Sequence, residues 1–320
     1  MPRPSVSFEF FPPKSVQASF RLWDCVRTLS PLQPEFVSVT YGAGGTTRQL
    51  THEVVAAIGQ STDLNVAAHL TCVDATRAQT LEIAETYRAA GVNHIVALRG
   101  DPPKGTDHYR PHADGFDGAI DLTRALADGG FDVTVGAYPE THPDATNASA
   151  CIDHLKAKID AGATRAITQF FFEADTFLRF RDACAAAGIN APILPGILPI
   201  ENWSGVQKFA QSCGAAIPQV LRDAFGKATP ENRDLLATAH ASELCDTLLC
   251  EGVEHLHFYT LNKPELDPRC VSRLGPCPRT QPSKRRLTCR RQRRGIRVTF
   301  TDRWVQLFRW IAPDHTARAG

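Results

Sequence analysis

A short apolar strand near the start of the chain reads Ser7-Phe8-Glu9-Phe10-Phe11-Pro12-Pro13-Lys14. Side chains alternate between the two faces of a strand, so Phe8 and Phe10 are predicted on one face, with Ser7 and Glu9 on the other. The two prolines end the strand because neither can donate a hydrogen bond to a neighbouring strand. A single strand glutamate more often faces water at a sheet edge. The role of Glu9 therefore depends on the rest of the chain.

The rest of the chain alternates between apolar segments of strand length and segments with helical spacing of apolar residues, with a period of roughly thirty-four residues. Strands are predicted at residues 6–10, 36–40, 66–70, 94–98, 131–137, 166–170, 192–197 and 255–259, and helices at 20–29, 49–58, 77–90, 119–128, 145–161, 174–187 and between 203 and 251. This alternation predicts an α/β fold, a closed parallel (β/α)8 TIM barrel. An open flavodoxin-like or Rossmann sheet is the alternative, but no G-x-G-x-x-G motif follows any strand, and the glycine-rich residues 42–47 lack its last glycine.

The composition is that of a globular protein with an unusual end. The chain has 320 residues, of which 43% are hydrophobic and 22% charged, and a net charge of +1. Residues 275–320 contain twelve Lys or Arg and two Asp, a net charge of +10, so residues 1–274 carry −9. We therefore assign residues 1–274 to the barrel and treat residues 275–320 as a basic tail with no domain assigned, too poor in apolar periodicity to fold alone.

Several features favour a cytoplasmic location. The ten cysteines include no C-x-x-C pair, so they are expected to be reduced thiols rather than zinc ligands. Residues 1–4 lead directly into the first strand and leave no room for the apolar region of a signal peptide, and no apolar run approaches the ~18 residues of a membrane span.

Polar residues or glycine follow almost every predicted strand, whereas the strand interiors are apolar. The residues at these ends are Glu9, Thr40, Tyr41, His69, Arg99, Gly100, Asp101, Tyr138, Glu140, Gln169, Gly196, Tyr259 and Asn262. In a (β/α)8 barrel the carboxyl ends of all strands meet at one face, where active sites lie. The pattern therefore predicts a binding pocket at that face.

Eight motifs in order resemble the methylenetetrahydrofolate reductase family, in its single-domain bacterial type. They are SFEFFPPK at 7–14, TYGAGG at 40–45, HLTC at 69–72, LRGD at 98–101, AYPETHP at 137–143, ITQFFF at 167–172, PGILP at 195–199 and FYTLN at 258–262. The resemblance implies an FAD-containing barrel that reduces 5,10-methylenetetrahydrofolate to 5-methyltetrahydrofolate with NADH or NADPH. It covers residues 5–274 and does not extend to the basic tail.

The resemblance also implies roles for two carboxylates. Glu9 matches the general acid that protonates the departing nitrogen of the substrate, and because its strand is apolar, we expect burial to raise its pKa. Asp101 matches an aspartate near flavin and pterin, where a negative charge stabilises a cationic iminium and lowers the flavin potential.

For the other ligands, the resemblance carries over a set of binding residues. FAD contacts are expected at Thr40, Tyr41, His69, Arg99, Gly100, Asp101, Ala119, Tyr138, His142, Ala145 and Lys158, and substrate contacts at Gln169, Phe209 and Lys263. Gln169 has both a donor and an acceptor for a pterin edge. Lys263 stands where the family usually has Arg, so it keeps the charge but loses the bidentate fork. Cys151, His154 and Ala157 replace an Asp, an Asn and an Arg common in relatives, which puts the detailed FAD contacts in question.

The residues leave two other functions open. A metal-dependent barrel hydrolase or aldolase could use His69, His94 or His142 with Asp101, although the first strand lacks the paired histidines typical of such enzymes. Nucleic-acid binding through the basic tail is less favoured, and it is compatible with reductase activity. The sequence does not distinguish NADH from NADPH, and it leaves self-association open.

The domain assignment predicts that a chain ending at Leu274 keeps its cofactor, its melting temperature and its activity. The reason is that the eight predicted strands end at Tyr259, and one closing helix completes the barrel. Thermal unfolding and flavin absorbance of the full and shortened chains measure this. Loss of cofactor or failure to fold after truncation would show that the tail belongs to the barrel or to an oligomer interface.

Overall fold

The computed structural model describes residues 4–41, 48–102 and 109–263. Within these residues the strands are β1 Ser5–Phe10, β2 Phe36–Val39, β3 Val66–Thr71, β4 His94–Leu98, β5 Asp132–Ala137, β6 Arg165–Thr168, β7 Ile193–Leu194, β8 Gly196–Ile197 and β9 His255–Tyr259. The α-helices are α1 Val16–Leu29, α2 Arg48–Ser61, α3 Arg77–Ala89, α4 Ala119–Asp128, α5 Ala148–Asp160, α6 Ala174–Ala186, α7 Trp203–Cys213, α8 Gln219–Lys227 and α9 Pro230–Cys250. A 3-10 turn, Ser30–Leu32, follows α1.

All strands run parallel in one sheet that curls into a nearly closed barrel, which confirms the predicted fold class. The strand order is β7-β6-β5-β4-β3-β2-β1-β9-β8, so the first strand lies between the second and the last. β1 pairs with β9 over five positions, from Ser5 opposite His255 to Glu9 opposite Tyr259. The first and last strands of the described chain therefore lie side by side in the sheet.

The seventh predicted strand is the main difference from expectation, because it is broken at Pro195 into two short strands. β7 pairs with β6 and β8 pairs with β9, and each pairing involves two residues. The backbone carbonyl of Pro195 accepts a hydrogen bond from the His257 N–H at 3.0 Å. Gly196 is needed at the break, since a Cβ there would collide with the Thr168 carbonyl oxygen and the Tyr259 ring.

The strands bury both faces, as expected for a parallel sheet covered by helices. Outward-facing Phe8 and Phe10 belong to a large core cluster that includes Leu22 and Val26 of α1. Inward-facing side chains form a smaller cluster in the barrel interior, made of Phe36, Ala67, Val96, Ile167 and Leu194 with Leu98 and Tyr259. Ser7 and Glu9 point into this interior, which confirms the alternation predicted for the first strand.

Helix boundaries differ from the predictions where polar side chains cap the helices. The first helix begins at Val16, four residues early, because the Ser15 side chain accepts a hydrogen bond from the backbone of Ala18. The fifth helix begins at Ala148, three residues late, because Asn147 caps it.

Three other expectations concern the glycine-rich residues and the tail boundary, membrane spans, and the cysteines. The glycine-rich residues 42–47 and the boundary at Leu274 lie outside the described residues. No helix in the described part is long and apolar enough to cross a membrane. Six described cysteines form no disulfide, whereas Cys250 is disulfide-bonded, so the expectation of reduced cysteines is wrong for that residue.

The packing predicts that Phe8→Ala is strongly destabilising, whereas Phe20→Ala is not. The Phe8 side chain is fully buried against Phe258, with ring centroids 5.8 Å apart, so its loss should cost about 3–5 kcal/mol of unfolding free energy. Phe20 is 72% exposed, so the matched variant should stay within about 0.5 kcal/mol. Urea denaturation of both variants measures the difference, and equal midpoints would contradict this account of the core.

Candidate active site

A cavity of about 730 Å³ opens at the carboxyl ends of the strands, where the sequence predicts a pocket. Its volume lies within the range of small-molecule sites. Ten of the residues predicted at the pocket line it: Glu9, Thr40, Tyr41, His69, Tyr138, Gln169, Phe209, Tyr259, Asn262 and Lys263. The apolar wall includes Val96, Leu98 and Ile167. The structure thus brings together residues that lie far apart in the sequence.

Glu9 lies in the floor of this cavity, next to two histidines. Its side chain is 9% exposed, and its Oε2 lies 3.3 Å from Nε2 of His69 and 3.7 Å from Nε2 of His257. Neither Nε2 atom forms a hydrogen bond with good geometry, although both are buried. The edge-strand interpretation of Glu9 is therefore wrong, since the carboxylate points into the barrel.

The expected rise in the pKa of Glu9 is also wrong. Burial alone raises the pKa of this carboxyl, but the two imidazoles facing it, those of His69 and His257, outweigh burial and lower its pKa from 4.5 to about 2. Burial lowers the pKa of His257, against the opposing effect of Glu9. Glu9 is therefore an anion at neutral pH in this state, and it must receive a proton before it can act as an acid.

The residues Arg99, Gly100 and Asp101 follow β4 and lie outside the cavity lining. Gly100 has φ +88°, and a Cβ there would approach Cγ1 of Val73 to 2.6 Å, so only glycine fits. The Arg99 guanidinium lies 4.8 Å from the centroid of the Tyr109 ring and 3.1 Å from the Asp144 carboxylate. Asp101 is exposed. Two contacts thus fix the Arg99 side chain, whereas Asp101 lies exposed.

Two basic side chains, Lys158 and His142, lie beside the cavity rather than in its lining. Lys158 is buried and donates to the backbone carbonyl of Gly136, which lines the cavity. Burial lowers its pKa to about 8, and no carboxylate in the described ranges lies within 4 Å of it. His142 packs edge-to-face on Tyr138, with ring centroids 4.4 Å apart. A buried cation without an anionic partner suits an anionic ligand.

Ala119 and Ala145 also lie outside the cavity lining. Ala119 is the first residue of α4, and the Ala145 N–H donates to the His142 carbonyl in the loop before α5. Their side chains carry no polar group, so any ligand contact there involves the backbone or the methyl group.

The three residues predicted to bind substrate line the cavity. The Gln169 side chain accepts a hydrogen bond from the Phe170 N–H at 3.0 Å. Phe209, on α7, is 38% exposed, and its ring centroid lies 4.9 Å from that of Phe170. Nζ of Lys263 lies 2.9 Å from the Glu201 carboxylate, so its charge is already partly balanced.

Comparison with known proteins gives the family. The family model described as Methylenetetrahydrofolate reductase matches residues 2–275. The chain belongs to the methylenetetrahydrofolate reductase family. The 5,10-methylenetetrahydrofolate reductase of Pectobacterium carotovorum is 45% identical over 282 residues, covering 86% of this chain and 92% of that protein. The Escherichia coli reductase is 44% identical over 276 residues with the same coverage.

Two further similarities concern length and fold. The Arabidopsis thaliana methylenetetrahydrofolate reductase (NADH) 1 is 37% identical over 270 residues, which make up 80% of this chain but 46% of the plant protein. The chain thus spans about half the length of that relative. A Clostridium thermocellum protein that binds two copies of 5-methyl-5,6,7,8-tetrahydrofolic acid aligns with a TM-score of 0.56 and 14% identity, over 84% of this chain and 93% of that chain. This likeness supports the barrel fold alone.

Asn262 was among the strand-end residues predicted at the pocket, but its contact with β1 was not predicted, and His257 was missed from this reductase-family site. Asn262 fixes the end of β1, because its side chain donates to the Phe11 carbonyl and accepts from the Phe11 N–H, each at 2.8 Å. Ser7 and His257 form a buried hydrogen bond below Glu9 at 2.7 Å. The alternation His255-Leu256-His257 at the last strand was the available signal, since both histidines share one strand face.

From the positions of His69 and His257 beside its carboxylate, we predict that Glu9 stays ionised down to about pH 4. Because its folded-state pKa is lowered from 4.5 to about 2, its ionisation stabilises the fold above about pH 4.5, and this contribution is lost as pH falls toward 2. Carbon-13 NMR of the side-chain carboxyls between pH 4 and 7, with the Glu9 signal assigned by its absence in Glu9→Gln, measures the titration. Glu140, whose pKa burial raises, should titrate at higher pH than Glu9 and serves as an internal reference. A Glu9 midpoint above 4.5 would contradict the predicted histidine effect.

Proposed function

We propose that this chain reduces 5,10-methylenetetrahydrofolate to 5-methyltetrahydrofolate in the cytoplasm, with electrons passed from NADH or NADPH through bound FAD in a ping-pong cycle that supplies methyl groups for methionine synthesis. Membership of the reductase family supports the reaction. The observation that carries the proposal is the position of Glu9, a buried carboxylate in the floor of a cavity large enough for a small-molecule ligand.

Several features of the chain fit an FAD group. The buried Lys158 lacks a carboxylate partner within the described ranges and suits the pyrophosphate charge. Nε2 of His69 is buried at the cavity without a hydrogen-bond partner. Thr40, Tyr41 and Tyr138 line the same cavity. When bound, FAD supplies hydride transfer between nicotinamide and folate.

Glu9 supplies the proton in the proposed mechanism. The methylene bridge of the substrate opens when the carbon–N10 bond breaks and N10 takes a proton, which leaves a cationic iminium at N5. Because the two histidines hold Glu9 as an anion at neutral pH, we expect proton uptake to accompany substrate binding, when the substrate displaces water and makes the ionised form less favourable.

Other residues position the substrate and its charge. Gln169 supplies an amide to the pterin edge and Phe209 offers an aromatic face at the cavity. Lys263 offers a positive charge to the folate glutamate tail, although its ion pair with Glu201 partly balances that charge. Burial, with smaller contributions from the charges of Cys213 and Asp101, raises the pKa of Tyr138 to about 12, so Asp101 acts electrostatically on a residue of the cavity lining. The negative charge of Asp101 would support a cationic iminium.

The proposal predicts a yellow protein that NADH or NADPH bleaches and methylenetetrahydrofolate reoxidises. In Glu9→Gln the flavin should bind and bleach as before, whereas reoxidation by folate should slow by roughly 10²–10⁴ because only that step needs the proton. Stopped-flow absorbance measures both half-reactions.

The matched control is Glu82→Gln, an exposed glutamate on α3. It should leave both half-reactions unchanged. A colourless protein that cannot be reconstituted with FAD would overturn the proposed cofactor, and equal loss of both half-reactions in Glu9→Gln would overturn the role of Glu9.

A further inference from the structure

A line of hydrogen-bonding side chains runs through the barrel interior from the amino-terminal end to Glu9. Nδ1 of His255 lies 3.0 Å from the Glu35 carboxylate, and Nε2 of His255 lies 2.8 Å from Oγ of Ser7. The same Oγ lies 2.7 Å from Nδ1 of His257, whose Nε2 faces Glu9 at 3.7 Å. We call Glu35, His255, Ser7 and His257 the interior relay.

The interior relay connects solvent to a buried site. The Glu35 side chain is 50% exposed at the start of β2, and the His255 side chain is 14% exposed. Ser7 and His257 are fully buried. Exposure therefore falls step by step from the amino-terminal end of the barrel to the cavity floor, which lies near the opposite end.

Neighbouring rings hold the two imidazoles in place. The Phe36 ring stacks on His257 at 5.9 Å and lies 5.8 Å from the His255 ring, and Tyr259 packs edge-to-face on His257 at 5.3 Å. Burial lowers the pKa of His255 to about 4 and also lowers that of His257. Both are therefore neutral near pH 7, and a neutral imidazole can accept a proton on one nitrogen while it donates from the other.

We propose that the interior relay carries to Glu9 the proton that each reduction of the folate consumes. This inference rests on the proposed function, because only the opening of the methylene bridge takes up that proton. The route enters from the end of the barrel opposite the cavity mouth, so it stays available while cofactor and substrate fill the cavity.

In each turnover the interior relay takes up one proton from solvent and delivers one proton to Glu9. Nε2–H of His257 gives its proton to Glu9, and Nδ1 of the same ring takes the Ser7 hydroxyl proton. Ser7 takes the proton from Nε2 of His255, and Nδ1 of His255 takes one from solvent through Glu35. Glu9 then protonates N10 as the carbon–N10 bond breaks, and the iminium carbon accepts the hydride. The 3.7 Å gap between His257 and Glu9 must shorten by roughly 0.5–1 Å for the last transfer.

A second group of polar residues in the barrel interior is not part of this route. Nε2 of His94 lies 2.7 Å from Oγ1 of Thr134 and 3.2 Å from Arg165, which also pairs with Asp132. The Phe36 ring lies 4.9 Å from the His94 ring, on which it packs edge-on. Within the described ranges no hydrogen bond joins His94 to the relay, so Thr134 offers a matched control.

The test uses the full chain with its flavin and compares Ser7→Ala with Thr134→Val, each of which removes one buried hydroxyl that contacts a histidine. Ser7→Ala should slow flavin reoxidation by methylenetetrahydrofolate at least tenfold and leave bleaching by NADH or NADPH unchanged. Thr134→Val should leave both rates within about twofold of wild type. His255→Asn, a change at the edge of the barrel, should slow the same step as Ser7→Ala and covers the case in which Ser7→Ala does not fold.

A proton inventory distinguishes proton transfer through Ser7 and His255 from a purely structural role of these residues. Reoxidation rates in mixtures of H₂O and D₂O should curve with deuterium content in wild type, because several protons shift together, and become linear in Ser7→Ala or His255→Asn. Unchanged reoxidation in these variants, equal slowing of both half-reactions, or a linear wild-type inventory would overturn the relay. A wild-type protein that fails to bind FAD or to react with the folate would instead overturn the proposed function.

Discussion

The parallel pairing of β1 with β9 is the constraint on which the site depends. It joins the first and last strands of the barrel and sets Ser7 opposite His257 and Glu9 opposite Tyr259. Since side chains alternate along both strands, this register sends the polar residues of each strand inward at matching heights. A slip of one residue would turn Glu9 outward into the helix layer. The chemistry in the barrel therefore relies on a contact between residues some 250 positions apart in the chain.

The fold was largely predictable because its signals are local. Strand and helix alternation, the inward position of Glu9 and the cluster of polar residues at strand ends all follow from apolar periodicity, and the structure agrees with them. The break at Pro195 was less visible, because the residues around it are as apolar as an unbroken strand. The proline and the following glycine were the only indications, and they also fit a strand end.

The sequence predicted most residues of the site, but it did not predict the direction in which the pKa of Glu9 is shifted. An apolar strand indicates a raised carboxyl pKa, yet the sign depends on His69 and His257, which approach Glu9 from β3 and β9. Such contacts between distant strands are set by barrel closure and leave no trace in the local sequence. Likewise, the helical pattern of α5 did not show which of its two nearby lysines is buried. Lys158 is buried against the Gly136 carbonyl, whereas Lys156 pairs with Asp160 at the surface.

The broken seventh strand leaves one part of the barrel wall with few strand-pairing contacts. β7 and β8 hold their neighbours through two residue pairs each, whereas β9 and β1 share five. Local opening of a protein begins where the fewest hydrogen bonds and contacts must be lost. Amide hydrogen exchange should therefore be fastest, among the barrel strands, on either side of Pro195. Local opening would then be confined to the wall around Pro195 and Gly196, while the β1–β9 pair, which carries Glu9 and Tyr259, stays closed.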